Sequence, residues 1–201
     1  MEVIEKKPKN YSKTILILGV MHGDEPQGEF LIKKYLENCC DSEIKNKLVF
    51  IPCINEYGKK HNIRQNKNGV DLNRNYPSKN WVLTKKNEYF GGKSPASEDE
   101  TKFLINLIEK IKPDFILSFH APFKVVNYDG PAQEEAKIIS EITGYPLQKD
   151  IGYPTPGSFG TYYGIEKQIP VVTLELSENL SNDELWLQNK EIFDFLAKKY
   201  V

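Results

Sequence analysis

The chain has only three cysteines among its 201 residues, two of them adjacent at Cys39 and Cys40. That excludes a disulfide framework and suits a reducing compartment. An excess of charge is also missing. Against 27 Lys and Arg stand 28 Asp and Glu, a formal net charge of -1, which gives no electrostatic reason to expect nucleic acid or a membrane surface as partner. No run of 18 apolar residues occurs, so no membrane span is expected. The first ten residues are polar and charged, without the apolar centre of a secretion signal, which points to the cytoplasm. Internal repeats, linkers and low-complexity blocks are absent too. The expectation is one domain over residues 1–201, large enough to bury roughly 70% of the surface its unfolded form exposes. Cys39 and Cys40 fall at the end of a predicted helix and Cys53 in a predicted strand, positions that suit packed or inert thiols better than metal ligands.

What is present is an alternation of strand-length apolar runs with helix-period segments, the signature of a three-layer α/β/α fold with a mostly parallel, twisted sheet. Strands are predicted at residues 14–20, 47–53, 114–119 and 171–176. All four are nearly continuous in Val, Ile, Leu and Phe, as expected of central strands covered on both faces. Helices are predicted from Pro26 onward with Leu31, Ile32, Tyr35 and Leu36 inward, and over residues 132–143 up to Gly144. Two more follow capping boxes. Ser97 with Glu100 precedes the stripe of Phe103, Leu104, Leu107, Ile108 and Ile111, which Pro113 ends, and Ser181 with Glu184 precedes Leu185, Ile192, Phe193 and Leu196. Two long irregular segments remain. Residues 55–92 are polar and rich in asparagine, and residues 145–163 are rich in proline and glycine. A segment of the first kind is expected to be functional or disordered.

The chemistry gathers at strand ends. His22-Gly23-Asp24-Glu25 follows the first strand, His120 the third and Glu175 the fourth, and ligands of open α/β sheets collect beyond the carboxyl ends of strands. A catalytic zinc takes three protein ligands, commonly two histidines and a carboxylate, and keeps a position for water. His22, Glu25 and His120 supply that set. Glu175 is then the candidate general base. Each has a structural alternative, a hydrogen-bonded imidazole for either histidine and a lysine-paired rim carboxylate for Glu175, and it is the agreement of three strand ends that favours a metal. Asp24 competes with Glu25, but i and i+3 share one side of a helical turn and i and i+2 do not, which favours Glu25. His61, in a basic patch, receives no role. Arg64 and Arg74 in the polar segment could stabilise an oxyanion and grip a substrate carboxylate, or could be surface arginines.

Taken in order, His22-Gly23-Asp24-Glu25, Val70-Asp71-Leu72-Asn73-Arg74-Asn75-Tyr76-Pro77, Ser97-Glu98-Asp99-Glu100-Thr101, Ser118-Phe119-His120 and Thr173-Leu174-Glu175 resemble the zinc metallocarboxypeptidase family. Tyr128-Asp129-Gly130-Pro131 and Thr155-Pro156-Gly157-Ser158-Phe159-Gly160-Thr161 look like its subgroup that cuts murein tripeptides. The resemblance implies one zinc per chain on His22, Glu25 and His120, with Glu175 as general base. It further implies Arg64 at the oxyanion, Asn73 with Arg74 on the free carboxylate, and a mixed eight-stranded sheet. The implied substrate is a small peptide, murein tripeptide, cut at its γ-D-glutamyl to meso-diaminopimelate bond. The family's mobile tyrosine has three positional candidates, Tyr153, Tyr162 and Tyr163, and none is assigned. Asp129 and Asp150 are candidates for the distal ammonium of diaminopimelate, with surface solvation the alternative. A competing enzyme class is an N-acyl amino acid deacylase of the aspartoacylase or succinylglutamate desuccinylase kind. Those proteins usually add a C-terminal β domain, whereas this chain closes at Val201 on a helical pattern. A catalytically silent peptide-binding domain is the other competitor, disfavoured by the presence of all four zinc-site residues.

Overall fold

The computed structural model describes residues 1–149 and 152–200. In chain order it forms β1 (Ile4–Lys6), β2 (Thr14–Leu18), α1 (Gln27–Asn38), β3 (Lys47–Ile51), α2 (Glu56–His61), α3 (Asp99–Ile111), β4 (Phe115–His120), β5 (Val125–Asp129), α4 (Gln133–Thr143), β6 (Leu147–Gln148), β7 (Val171–Glu175) and α5 (Asn182–Asp194). The strands make one seven-stranded sheet in the order β1-β3-β2-β4-β7-β5-β6. Seven strands among the described residues correct the eight that the resemblance implied. The four apolar runs are its contiguous centre, β3-β2-β4-β7, and all three pairings there are parallel. β1 and β5 join antiparallel.

Successive strand residues point to opposite faces, and the core divides accordingly. Ile15, Ile17, Phe50, Phe115, Leu117 and Phe119 pack under α1, α4 and α5, against Leu31, Ile32, Ala136, Ile139, Ile192 and Phe193. Leu16, Leu18, Val49, Ile51 and Ile116 pack on the other face with Leu104 and Ile108 of α3. A strand buried twice over has no solvent side, which is why these runs carry no alternation of polar residues.

Sequence and structure part at several boundaries. β2 stops at Leu18 rather than at residue 20, where Val20 turns to a positive φ of 50°, and β3 stops at Ile51 rather than Cys53. The Ser181 and Glu184 capping box forms at α5. The expected box at Ser97 and Glu100 does not. Glu98 is the N-cap of α3 and has no side-chain cap bond, because Ser97 Oγ donates to Glu98 Oε1 at 2.6 Å and Glu100 accepts from Asn66 at 3.2 Å. A neighbouring carboxylate has taken the first side chain and a distant amide the second. Residues 55–92 contain α2 and a 3-10 turn, Leu72–Arg74. Asp150 and Val201 lie outside the described residues.

Candidate active site

Parallel β2, β4 and β7 deliver their carboxyl ends to one rim, with Leu18 opposite Ser118 and His120 opposite Glu175. Beyond β2 the chain turns at once, Glu25 N–H donating to His22 O at 3.2 Å. That turn puts the side chains of His22 and Glu25 on one side, both buried, and leaves Asp24 exposed. Gly23 is required there: a Cβ on it would lie 2.0 Å from the Gly58 backbone of α2.

His22 Nδ1 lies 2.8 Å from Glu25 Oε1. His120 Nδ1 lies 3.1 Å from His22 Nδ1 and 2.9 Å from Glu25 Oε2. Two buried imidazole nitrogens and a carboxylate thus point at one spot, with one ligand atom from each within 4.8 Å of the others. Two ring nitrogens at that separation need a proton or a cation between them, and a divalent ion satisfies all three residues together. The second ring nitrogen of His22, Nε2, is held by Asp71 Oδ1 at 3.1 Å, the outer carboxylate that orients a metal-binding histidine. This donor set fits zinc.

The electrostatics agree. Burial by itself would lower His22, but the carboxylates of Glu25 and Asp71 outweigh it and carry the imidazole up to about 9. Burial likewise opposes ionisation of Glu25 and Asp71. The imidazoles of His22 and His120 nevertheless hold Glu25 below the usual carboxylate range, and His22, Arg64 and Arg74 do the same for Asp71. Glu175 goes the other way. Burial raises it despite His120 nearby, and its buried Oε2 has no hydrogen-bond partner, an expensive vacancy unless something comes to fill it. Burial thus shifts this carboxyl in the direction that favours accepting a proton.

The polar segment supplies the facing wall of the same cleft, where Arg64, Asn73 and Arg74 meet His22, His120 and Glu175. Arg64 Nε donates to Asp71 Oδ2 at 2.9 Å, and its Nη1 stands 3.5 Å from Glu25 Oε1. Arg74 is buried, with Nη1 donating to Asn73 O at 2.8 Å. Both guanidinium groups lie over the Tyr89 ring, at 5.3 and 6.0 Å from its centroid. Asn73 Oδ1 accepts from Phe159 N–H at 2.9 Å, tying this wall to the second irregular segment. Of the three tyrosines, Tyr153 borders the cleft, while Tyr162 and Tyr163 pack around Tyr76. His61 stacks on Tyr57, away from the cleft.

Sequence reasoning missed Asp71, which no solvent reaches and which joins His22 to Arg64. Its one signal was a carboxylate set between Val70 and Leu72, since a buried charge demands partners. It also missed the floor of the cleft, which β5 lays beside β7.

Comparison with known proteins adds four findings. A model of the zinc carboxypeptidase family matches residues 2–170. Murein peptide amidase A of Escherichia coli (strain K12) is 33% identical over 181 residues, which span 84% of this chain and 73% of that protein. Its namesake in Vibrio campbellii is 34% identical over 176 residues, 80% of this chain and 68% of that one. Among solved structures, the murein-tripeptide amidase of Escherichia coli O157 superposes with a TM-score of 0.83 at 28% identity, over 96% of this chain and 85% of that chain.

Proposed function

The chain belongs to the zinc carboxypeptidase family and is a hydrolase of the metallopeptidase and amidase kind; from that premise we propose that it is a zinc-dependent amidase of cell-wall peptide recycling. The bond it cuts is the γ-D-glutamyl to meso-diaminopimelate bond of murein tripeptide. The observation that carries this reading is the convergence of His22, Glu25 and His120 beside Glu175, whose Oε2 is unpartnered, in a cleft whose far wall holds Asn73 and Arg74. The names of the relatives support the substrate. Residues 1–201 act as one catalytic domain, and its three thiols suit a cytoplasmic site of action.

In this reading His22, Glu25 and His120 hold one zinc ion per chain. Lewis acidity is what zinc supplies when bound there, activating water and polarising the scissile carbonyl. Glu175 takes the proton of the attacking water at Oε2 and delivers it to the leaving amine, a task suited to a carboxyl raised by burial. Arg64 is fixed by Nε on Asp71 and by Nη1 on Glu25, which leaves Nη2 to donate toward the developing oxyanion. Arg74 and Asn73 grip the carboxylate of the leaving unit. Diaminopimelate fits that grip because its free carboxylate adjoins the broken bond.

The test is incubation of the zinc-loaded protein with L-alanyl-γ-D-glutamyl-diaminopimelate, product identification by mass, and metal analysis on the same sample. About one zinc per chain and release of free diaminopimelate are expected. An inert peptide in the presence of stoichiometric zinc, or faster cleavage of N-succinylglutamate, would overturn the assignment.

A further inference from the structure

Arg64 and Arg74 bring like charges into one cleft, and the fold must hold both there without neutralising the charge that meets the substrate. Arg64 is paired with Asp71 and Glu25. Among the described residues no carboxylate lies within ion-pair distance of Arg74, whose Nη1 donates to the carbonyl of its neighbour Asn73. What the two arginines share is the ring of Tyr89. The guanidinium carbon of Arg64 stands 5.3 Å from its centroid and that of Arg74 6.0 Å, both at the separation where the negative face of an aromatic ring attracts a cation. Such a face holds two cations without offering either an anion. A carboxylate in its place would discharge them and compete with the carboxylate of the substrate.

The turn that carries Tyr89 is built against the stretch that carries the arginines. Asn87 Oδ1 accepts from Tyr89 N–H at 3.0 Å, and Asn87 O accepts from Gln65 Nε2 at 2.6 Å. Phe90 O accepts from Asp71 N–H at 2.8 Å, and Gly91 O from Asn75 Nδ2 at 2.7 Å. Gly91 passes so near Arg74 that a Cβ on it would lie 2.4 Å from Arg74 O. None of these contacts uses the Tyr89 ring. The turn is thus held without the ring, which belongs to a residue 44% exposed and adds little to the core. Its place over the two guanidinium groups is what the fold obtains from it.

We propose that Tyr89 is a positioning residue shared by both arginines: its ring face orients Arg64 toward the oxyanion and Arg74 toward the carboxylate of the leaving unit, and leaves their charge free for substrate. This rests on the amidase reading above. Because the two arginines act on different steps, loss of this one side chain, which touches no reacting atom, changes kcat and KM together.

The experiment compares wild type, Tyr89→Phe and Tyr89→Leu as zinc-loaded full chains, with thermal melts to verify folding. Steady-state kinetics on L-alanyl-γ-D-glutamyl-diaminopimelate is combined with heteronuclear spectra of the arginine Nε–H groups, whose resonances a nearby ring displaces. In Tyr89→Leu, kcat is expected to fall about threefold through Arg64 and KM to rise about threefold through Arg74. The Nε–H resonances of both arginines should lose their ring displacement in the same variant. Tyr89→Phe keeps the ring face, and is expected to restore the kinetics to within about twofold of wild type and to restore both resonances. Unchanged kinetics in Tyr89→Leu, a change in kcat alone or KM alone, equal losses in both variants, or resonances indifferent to Tyr89→Leu each overturn the role of Tyr89 and leave the amidase standing. A Tyr89→Leu chain that fails to fold makes Tyr89 part of the scaffold and overturns the proposal as well. If wild type does not cut the peptide, the amidase reading falls. The spectra then decide Tyr89 by themselves: both resonances moved in Tyr89→Leu and kept in Tyr89→Phe support the shared hold, and any other pattern overturns it.

Discussion

The parallel centre of the sheet and residues 55–92 reach the same cleft by opposite physics. In the sheet, Leu16, Ile17, Phe50 and Leu117 are fully buried and stabilise by apolar area removed from water, which is strong and undirected. In the polar segment Asn55, Asn66, Asp71 and Asn75 are buried just as deeply, and each earns its place by directed bonds. Asn55 accepts from Gly58 N–H and donates to Arg64 O. Asn66 accepts from Val70 N–H. Asn75 donates to Gly91 O and Ser97 Oγ and accepts from Glu98 N–H. The sheet fixes where strands end, which suits groups that act on the reacting atoms. The segment fixes the loop backbone carrying Arg64, Asn73 and Arg74, which suits recognition.

The sharpest break of this division of labour is Glu175→Gln, on the sheet side. The amide fills the same space without accepting a proton, so kcat is expected to fall about 10³-fold or more while zinc content and KM stay near wild type. Metal analysis together with steady-state kinetics checks both halves, and a variant at near wild-type rate would remove Glu175 as base. Next in size is a matched pair. Leu16→Ala in β2 should cost about 3 kcal/mol through the cavity it leaves, lowering the global melting temperature. Asn75→Ala should cost about 2 kcal/mol by orphaning buried backbone groups, and its signature differs. Hydrogen exchange should quicken across residues 70–98 and KM should rise, whereas Leu16→Ala should affect all regions alike. If both variants loosen the whole chain equally, the polar segment is not the separately stabilised unit described here.

How far each part was legible follows from the same contrast. The four central strands announce themselves because burial on both faces leaves few polar residues in them, and the candidate ligands His22, Glu25 and His120 could be found because they sit at or just after the ends of such runs. β5 stayed hidden. Val125-Val126-Asn127-Tyr128-Asp129 is half polar, and it is a strand because β7 offers an edge to pair with. With β5 unseen, Asp129 stood as a candidate only through the resemblance, and no local pattern placed it on the cleft floor. Ser97 and Glu100 satisfied a local capping pattern, yet Glu98 and Asn66 engaged them instead. Patterns that depend on local periodicity survive folding. Those that depend on which distant amide arrives first do not, and the bonds of Asn75 to Gly91 and Ser97 are of the second kind.

The smallest expected effect tests whether Asp129 belongs with the site or with the scaffold. Its carboxyl stands at about 6 in the folded chain against an ordinary 3.8. Between those values the folded state holds a proton that the unfolded state has released, so stability falls as pH rises through the window, the reverse of a salt-bridged carboxylate. Below pH 4 both states are protonated and the penalty is absent; above pH 6 it is complete. Asp129→Asn removes it. The variant should melt a few degrees above wild type at pH 7.5, on the order of 1 to 2 kcal/mol, and the difference should shrink toward zero at pH 4. All other groups are common to both proteins, so their contribution cancels in the comparison. A difference that ignores pH would instead place Asp129 among residues that merely fill space.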